Sequence, residues 1–176
     1  MSKVIIVSNR LPVSVKKENG RIRYQSSLGG LATGLSSYVQ GRGNIWIGWP
    51  GINAEDLSDA EKTKVARKLL KQRCVPIWLT KKQVERFYDG FSNEILWPAF
   101  HSLRLRHIDE TTRQEWWRAY REVNHIIADA VANQAESGDR IWVHDYQLML
   151  VPEYIRSIRS ELGAGFFLHI PFPPYK

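Results

Sequence analysis

The chain has 176 residues, 43% hydrophobic and 11% aromatic, enough for one compact domain with a real core. Lys and Arg number 25 against 18 Asp and Glu, a net charge of +7 that suits phosphorylated metabolites, nucleic acid or a membrane surface as partners. The single cysteine, Cys74, excludes a disulfide framework and a cysteine zinc site; no apolar run is long enough to span a bilayer and no signal-peptide pattern follows Met1, so a cytoplasmic protein without a membrane segment is expected.

Residues 4–7 are an apolar, largely β-branched run and predict a central first strand, stopped by Ser8, Asn9 and Arg10. Residues 16–24 alternate in charge around Gly20 and predict a hairpin or a flexible excursion. Leu28-Gly29-Gly30-Leu31-Ala32-Thr33-Gly34 then opens a helix expected to run to about Val39. Two glycines before a helix let backbone N–H groups approach an anion at its positive end. The spacing is not Gly-x-Gly-x-x-Gly, however, and paired glycines are more often plain turns.

Residues 44–49 predict another strand, closed by Pro50-Gly51. Ser58 with Glu61 and Thr80 with Gln83 have the spacing of capping boxes. The first precedes a basic helix over 62–73, where Val65 with Leu69 and Ala66 with Leu70 give an ordinary amphipathic pattern with a solvated charged face. Residues 75–79 read as a strand between the two boxes. Residues 86–101 read as an irregular, aromatic-rich loop, in which Tyr88, Asn93, Trp97 and His101 have the character of a carbohydrate wall, flat apolar faces with hydrogen-bonding tips. Thr111 with Gln114 predicts the cap of the longest helix, with a core stripe of Trp116, Tyr120, Val123, Ile127 and Ala130 and an end near Gly138.

Residues 141–143 are a short apolar run, expected of a strand buried on both faces of a parallel sheet, and His144, Asp145 and Tyr146 stop it abruptly. Val151, Ile155, Ile158 and Leu162 mark one face of a helix, with Pro152 in its first turn and Gly163 as its stop. Residues 165–168 predict a second buried strand ending at His169. This is a βαβ unit with polar side chains at the C-terminal ends of both strands, the edge at which open α/β sheets bind ligands. Strands and helices alternate throughout without repeat or linker, so the fold class is α/β, a doubly wound, mostly parallel sheet.

Five blocks carry a resemblance. They are Val7-Ser8-Asn9-Arg10, Leu28-Gly29-Gly30-Leu31, Phe91-Ser92-Asn93 with Leu96-Trp97-Pro98-Ala99-Phe100-His101, Val143-His144-Asp145-Tyr146, and Phe166-Phe167-Leu168-His169-Ile170-Pro171-Phe172-Pro173. In this order, and across the length of the chain, they resemble the trehalose-6-phosphate synthases, retaining glycosyltransferases of family 20 with a GT-B fold. The resemblance implies that residues 1–176 are the N-terminal, acceptor-side Rossmann-like domain, the C-terminal nucleotide-sugar domain being absent from this chain. It implies transfer of glucose, with retention, from a nucleotide sugar, usually UDP-glucose, to glucose 6-phosphate, giving trehalose 6-phosphate.

By matching position, Arg10 contacts the acceptor's phosphate, while Tyr88, Trp97 and Asp145 hold the acceptor. Gly29 and Gly30 approach the donor's diphosphate and His169 lies beside the transferred glucose; Asp145 and His169 are the catalytic candidates. No cofactor or metal is implied beyond the nucleotide sugar, and the 176 residues alone are expected to be inactive. Glucosylglycerol-phosphate synthase shares much of the pattern and stays as an alternative, as does a non-catalytic sugar-phosphate-binding domain. The donor nucleotide, the acceptor and the oligomeric state, a homo-oligomer included, stay open. Nucleic acid is not an expected partner, because none of its binding signatures is present. Plainer readings exist for three residues: Arg10 in a surface ion pair, Asp145 as a helix cap and His169 as a core histidine.

Overall fold

A computed structural model describes residues 2–26, 30, 31, 33–35 and 43–173. Five strands form one parallel sheet: β1 (Val4–Arg10), β4 (Ile45–Trp49), β5 (Cys74–Pro76), β6 (Arg140–His144) and β7 (Gly163–Phe167), in the order β5-β4-β1-β6-β7. The expected central first strand is β1. Its alternation serves both faces: Ile5 and Val7 enter one core and Ile6 the other, all fully buried. The excursion over 16–24 is an antiparallel hairpin of β2 (Val13–Glu18) and β3 (Arg21–Ser26). It packs Val15 and Ile22 onto the second core beside α1 (Asp59–Leu70), which contributes Val65 and Leu69. Both expected capping boxes are present, Ser58 with Glu61 on α1 and Thr80 with Gln83 on α2 (Lys81–Val84).

The first core lies under the remaining helices. The longest, here α4 (Glu110–Gln134), presents Tyr120, Val123, Ile127 and Val131, and α5 (Val151–Ile158) adds Val151 and Ile155. The predicted stripe holds in its middle; Trp116 and Ala130 at its ends are only half-buried. The cap of α4 is Asp109, which accepts from the backbone N–H of Thr112 at 2.9 Å, and not Thr111; Gln114 instead donates to Glu110 within the helix. The helix ends at Gln134, four residues short of Gly138.

Three further expectations are corrected. The strand over 75–79 is the short edge strand Cys74–Pro76, after which the Ile77 N–H still donates to the Gly48 carbonyl at 2.9 Å. α5 stops at Ile158, and Gly163 opens β7 instead of closing the helix. β7 itself is an edge strand, not a buried one: Phe166 and Phe167 are 40% and 49% exposed.

The largest correction concerns residues 86–101. Residues 86–100 are helical without a break: α2 runs into a π-helix (Glu85–Leu96) and then α3 (Trp97–Phe100), with His101 as its cap. The Trp97 N–H bonds back to the Ser92 carbonyl, and the Ser92 hydroxyl donates to the Phe87 carbonyl at 2.8 Å, both spanning five residues. Gly90 lets this helix lie against α4, since a Cβ there would stand 2.6 Å from the Trp116 ring. Among the described residues no helix is long and apolar enough to cross a membrane.

Candidate functional site

The sheet order reverses between β1 and β6. After β1 the chain builds β4 and β5 on one side, and after β6 it builds β7 on the other. The loops leaving the two central strands therefore diverge, and a crevice opens outside their C-terminal ends. A cavity of about 210 Å³ fills it, with walls from Ser8, Asn9 and Arg10 at the end of β1, His144 at the end of β6 with Asp145 and Gln147 beyond it, and Leu31.

Arg10 is aimed by a β-bulge. Val7 pairs with Ile47, but the next register pair is Arg10 with Trp49, so three steps of β1 match two of β4. The extra residue turns Arg10, rather than Asn9, to stand beside Trp49. The bulged backbone folds onto Gly48, where a Cβ would lie 2.6 Å from the Ser8 carbonyl oxygen and 3.1 Å from the Arg10 carbonyl carbon; only glycine fits. The Ser8 hydroxyl pins the bend, donating to the Arg10 carbonyl at 2.6 Å and accepting from the Trp46 indole N–H at 2.7 Å.

The Arg10 guanidinium then lies 4.5 Å from the Trp49 ring centroid and 5.9 Å from that of Tyr88. Among the described residues no carboxylate comes within 4.0 Å of it, so it is not the arginine of a surface ion pair. Asp89 feels Arg10 only at longer range: burial raises the Asp89 carboxyl's pKa, Glu85 adds to the rise and Arg10 opposes it. A guanidinium stacked on aromatic rings is held in orientation while its N–H edge stays available to an oxyanion.

Asp145 has φ 77° and ψ 165°, a region populated almost only by glycine. The conformation is held on both sides. Its N–H donates to the Phe167 carbonyl at 2.8 Å, continuing the ladder to β7. Its Oδ1 accepts from the N–H of Tyr146 at 3.0 Å and of His169 at 3.3 Å. Asp145 therefore does cap a turn, the short 3₁₀ segment Tyr146–Leu148. Among the described residues Oδ2 has no partner, which leaves half of the carboxylate for a ligand.

α4 fixes that turn from beneath. The Tyr120 hydroxyl donates to the Tyr146 carbonyl at 2.7 Å and accepts from the Met149 N–H at 3.2 Å. The buried Asn124 amide donates to the carbonyls of Tyr120 and Gln147, and its oxygen accepts from the Leu150 N–H. Tyr146 reaches the other way, donating to Asn93 Oδ1 at 3.0 Å. Burial, chiefly, pushes the Tyr146 phenol up to about 12, so it stays a neutral donor.

Trp97 stands 5.8 Å from the Tyr146 ring and 3.9 Å from His101, and is 41% exposed. Tyr88 and Trp97 are not walls of the cavity; Tyr88 faces the guanidinium of the wall residue Arg10, and Trp97 faces Tyr146, the neighbour of Asp145. Tyr88, Asn93 and Trp97 of the expected carbohydrate wall share one helical run, with His101 at its cap, at spacings of five, four and four, which suits a helix wound partly with five-residue bonds. π-helical turns of this kind recur at functional sites.

His169 is exposed and so is not a core histidine. Its Nε2 lies 3.0 Å from Nδ1 of His144, which is 1% exposed. Burial and the neighbouring imidazole hold the His144 pKa down at about 4, so this ring is neutral near pH 7. Gly30 is exposed and helical, and no described atom lies within 4 Å of where its Cβ would be. Gly29 and most of the helix expected over 28–39 lie outside the described residues. Among the described residues no three His, Cys, Asp or Glu side chains gather closely enough to hold a metal ion.

Gly48, Tyr120 and Asn124 were not singled out by sequence as site-forming, whereas His144 was legible as a polar residue at the C-terminal end of a buried strand. Of the three, only Gly48 carries a usable signal, a glycine inside an apolar strand, which marks a bulge or a close backbone approach.

The family model described as glycosyltransferase family 20 matches residues 2–176. The trehalose-6-phosphate synthase of Mycolicibacterium gilvum is 42% identical over 171 residues, covering 97% of this chain and 33% of the relative. The crystal structure of an α,α-trehalose-phosphate synthase (UDP-forming) from Burkholderia vietnamiensis superposes with a TM-score of 0.74 at 32% identity, over 98% of this chain and 34% of that one. A Burkholderia xenovorans counterpart in complex with glucose 6-phosphate gives a TM-score of 0.67 at 29% identity, over 98% and 34%. The chain thus spans about a third of the length of the relatives it matches.

Proposed function

The chain belongs to glycosyltransferase family 20, and from that membership we propose that it supplies the acceptor side of a trehalose-6-phosphate synthase, transferring glucose from UDP-glucose to glucose 6-phosphate. One observation carries the reading: Arg10, whose guanidinium has no carboxylate partner among the described residues, and Asp145, whose Oδ2 has none among them either, line one cavity from neighbouring strand ends. That pairing suits a sugar phosphate, with the cation meeting the phosphate by charge-assisted, bidentate bonds and the carboxylate accepting from hydroxyls. A relative's structure with glucose 6-phosphate and the UDP-forming names of others support the choice of acceptor and donor.

In this reading the reaction is positional and electrostatic. Tyr88 and Trp97 bound the acceptor, Asp145 Oδ2 orients it, and His169 stands toward the transferred glucose. The leaving phosphate takes the acceptor's proton on the same face, so no residue here acts as a nucleophile. Residues 1–176 are the acceptor-side domain, and a second Rossmann-like domain would complete the donor site around Gly29 and Gly30.

The test is a titration of the 176-residue chain with glucose 6-phosphate, glucose and UDP-glucose, followed by NMR, alongside an assay of UDP release. Glucose 6-phosphate should bind at about millimolar, near −4 kcal/mol, more tightly than glucose or UDP-glucose, and without turnover. Equal affinity for glucose and glucose 6-phosphate would remove Arg10 from the phosphate site. Tight UDP-glucose binding, or turnover, would show that the donor site is misplaced.

A further inference from the structure

His144 carries a buried polar atom that no described residue employs. Its ring is 1% exposed, its Nδ1 is engaged with His169 Nε2 at 3.0 Å, and its Nε2 has no hydrogen-bond partner among the described residues. The residue is also a wall of the cavity at the sheet's switch point. An orphaned buried nitrogen costs the fold stability, and a buried structural histidine would ordinarily be satisfied on both sides.

We propose that His144 is a ligand-contacting residue of this cavity: its Nε2 hydrogen-bonds a hydroxyl of the bound hexose, and the single proton shared with His169 ties the two imidazoles into one relay. The inference rests on the reading of the cavity as a sugar-phosphate site and extends it to a residue within that site. The relay follows from tautomer arithmetic. One proton lies between Nδ1 of His144 and Nε2 of His169. If His144 holds it, His144 Nε2 is an acceptor and His169 Nδ1 a donor. If His169 holds it, His144 Nε2 becomes a donor and His169 Nδ1 an acceptor. A ligand that selects the state of one outer nitrogen thereby sets the other.

The chemical class follows from charge. His144 is neutral near pH 7, with burial as the main cause, and adds no charge for a phosphate; the cation available to a phosphate is Arg10. A hydroxyl both donates and accepts, so it satisfies Nε2 in either tautomer, whereas a phosphate oxygen only accepts. The neighbours fit this division. Ser8 Oγ is already used by Arg10 and Trp46, Asp145 Oδ1 by two backbone N–H groups, and Asn9 and Gln147 are neutral.

Two substitutions separate the nitrogens. In His144→Asn the amide stands near the position of Nδ1 and keeps contact with His169 but leaves nothing at Nε2. In His144→Gln the amide reaches the Nε2 position and the Nδ1 contact is lost. Both variants and the wild type are titrated with glucose 6-phosphate, glucose and inorganic phosphate, and imidazole ¹⁵N spectra report the tautomers. Loss of one neutral hydrogen bond should weaken glucose 6-phosphate binding about three- to tenfold in His144→Asn, with His144→Gln nearer the wild type and inorganic phosphate unaffected in both. Glucose 6-phosphate should move the His144 and His169 ¹⁵N resonances together.

Equal affinities in all three proteins, each melting as a folded domain, would overturn the contact while leaving the sugar-phosphate reading intact. Weakening of inorganic phosphate alone would also overturn it, by placing the anion at His144. A wild type that binds no hexose ligand at all would overturn both readings.

Discussion

Asp145 offers a measurement in which strain and chemistry come apart. At φ 77° and ψ 165° a residue with a Cβ costs about 1–3 kcal/mol relative to its relaxed state. Asp145→Gly and Asp145→Ala both delete the carboxylate and so lose the same two bonds from the N–H groups of Tyr146 and His169. They differ in the Cβ alone. Glycine removes the strain but adds about 0.5–1 kcal/mol of unfolded-state entropy. The net expectation is that Asp145→Gly is more stable than Asp145→Ala by about 0.5–2 kcal/mol. For a domain of this size that is roughly 1–8 °C in Tm, at about 2–4 °C per kcal/mol.

Thermal melts of the two variants, followed by far-UV circular dichroism, measure the difference directly. Both variants should lose glucose 6-phosphate binding to the same degree, because neither has Oδ2. Asp145→Asn adds the third point: it keeps an acceptor for Tyr146 and His169 and should melt near the wild type, yet bind more weakly. If Asp145→Ala proves as stable as Asp145→Gly, the backbone relaxes at no cost and there is no strain to explain. If Asp145→Asn binds like the wild type at an unchanged Tm, the carboxylate is a cap and nothing more.

Three further outcomes are expected. Arg10→Ala should weaken glucose 6-phosphate by about 1.5–3 kcal/mol, the worth of a hydrogen bond to a charged group, and leave free glucose unchanged; equal losses for both ligands would sink the phosphate assignment. Gly48→Ala should destabilise by about 1–3 kcal/mol through overpacking against the bulge and also weaken phosphate binding, whereas Gly165→Ala, with its nearest atom at 4.0 Å, serves as the mild control. Stability should also fall with pH in a defined window. His144 titrates at about 4 folded against 6.5 in its unperturbed state, so the unfolded chain takes up the proton first and stability is lost as pH drops from about 6.5 to about 4. Above that window His144 contributes no slope, and Glu61, held at about 2, loses its contribution only as pH falls below 4.5. Urea titrations of wild type and His144→Gln across this range should show a slope in the former that is reduced in the latter; identical slopes would place the titrating group elsewhere.

What was legible in the sequence followed from periodicity and local chemistry. The strands over 4–7, 44–49 and 141–143 announce themselves as apolar runs because a parallel strand between helices is buried on both faces. The two capping boxes are legible because they are closed within four residues. β7 misled because Phe166 and Phe167 look buried by composition, yet occupy an edge, and the sheet order that makes an edge is not a local property. The cap of α4 misled for a smaller reason: Asp109 and Thr111 are both good caps two residues apart, and propensity does not choose between them.

The site was harder to see than the fold because its geometry depends on three backbone irregularities. The bulge that turns Arg10 toward Trp49, the positive φ at Asp145 and the five-residue winding of Glu85–Leu96 each break the period by which elements are recognised. A search at spacings of three and four finds no stripe in a π-helix, so residues 86–101 read as a loop even though Tyr88, Asn93 and Trp97 lie on one run with His101 at its cap. The irregularities sit beside the residues of interest for a physical reason. A regular strand end would carry its side chains alternately away from the crevice, and an extra residue or a left-handed backbone is the cheapest way to turn one back into it. Gly48 and Tyr120, neither of them a wall of the cavity, hold two of those departures in place, so substitutions at these supports should act on ligand geometry without touching ligand.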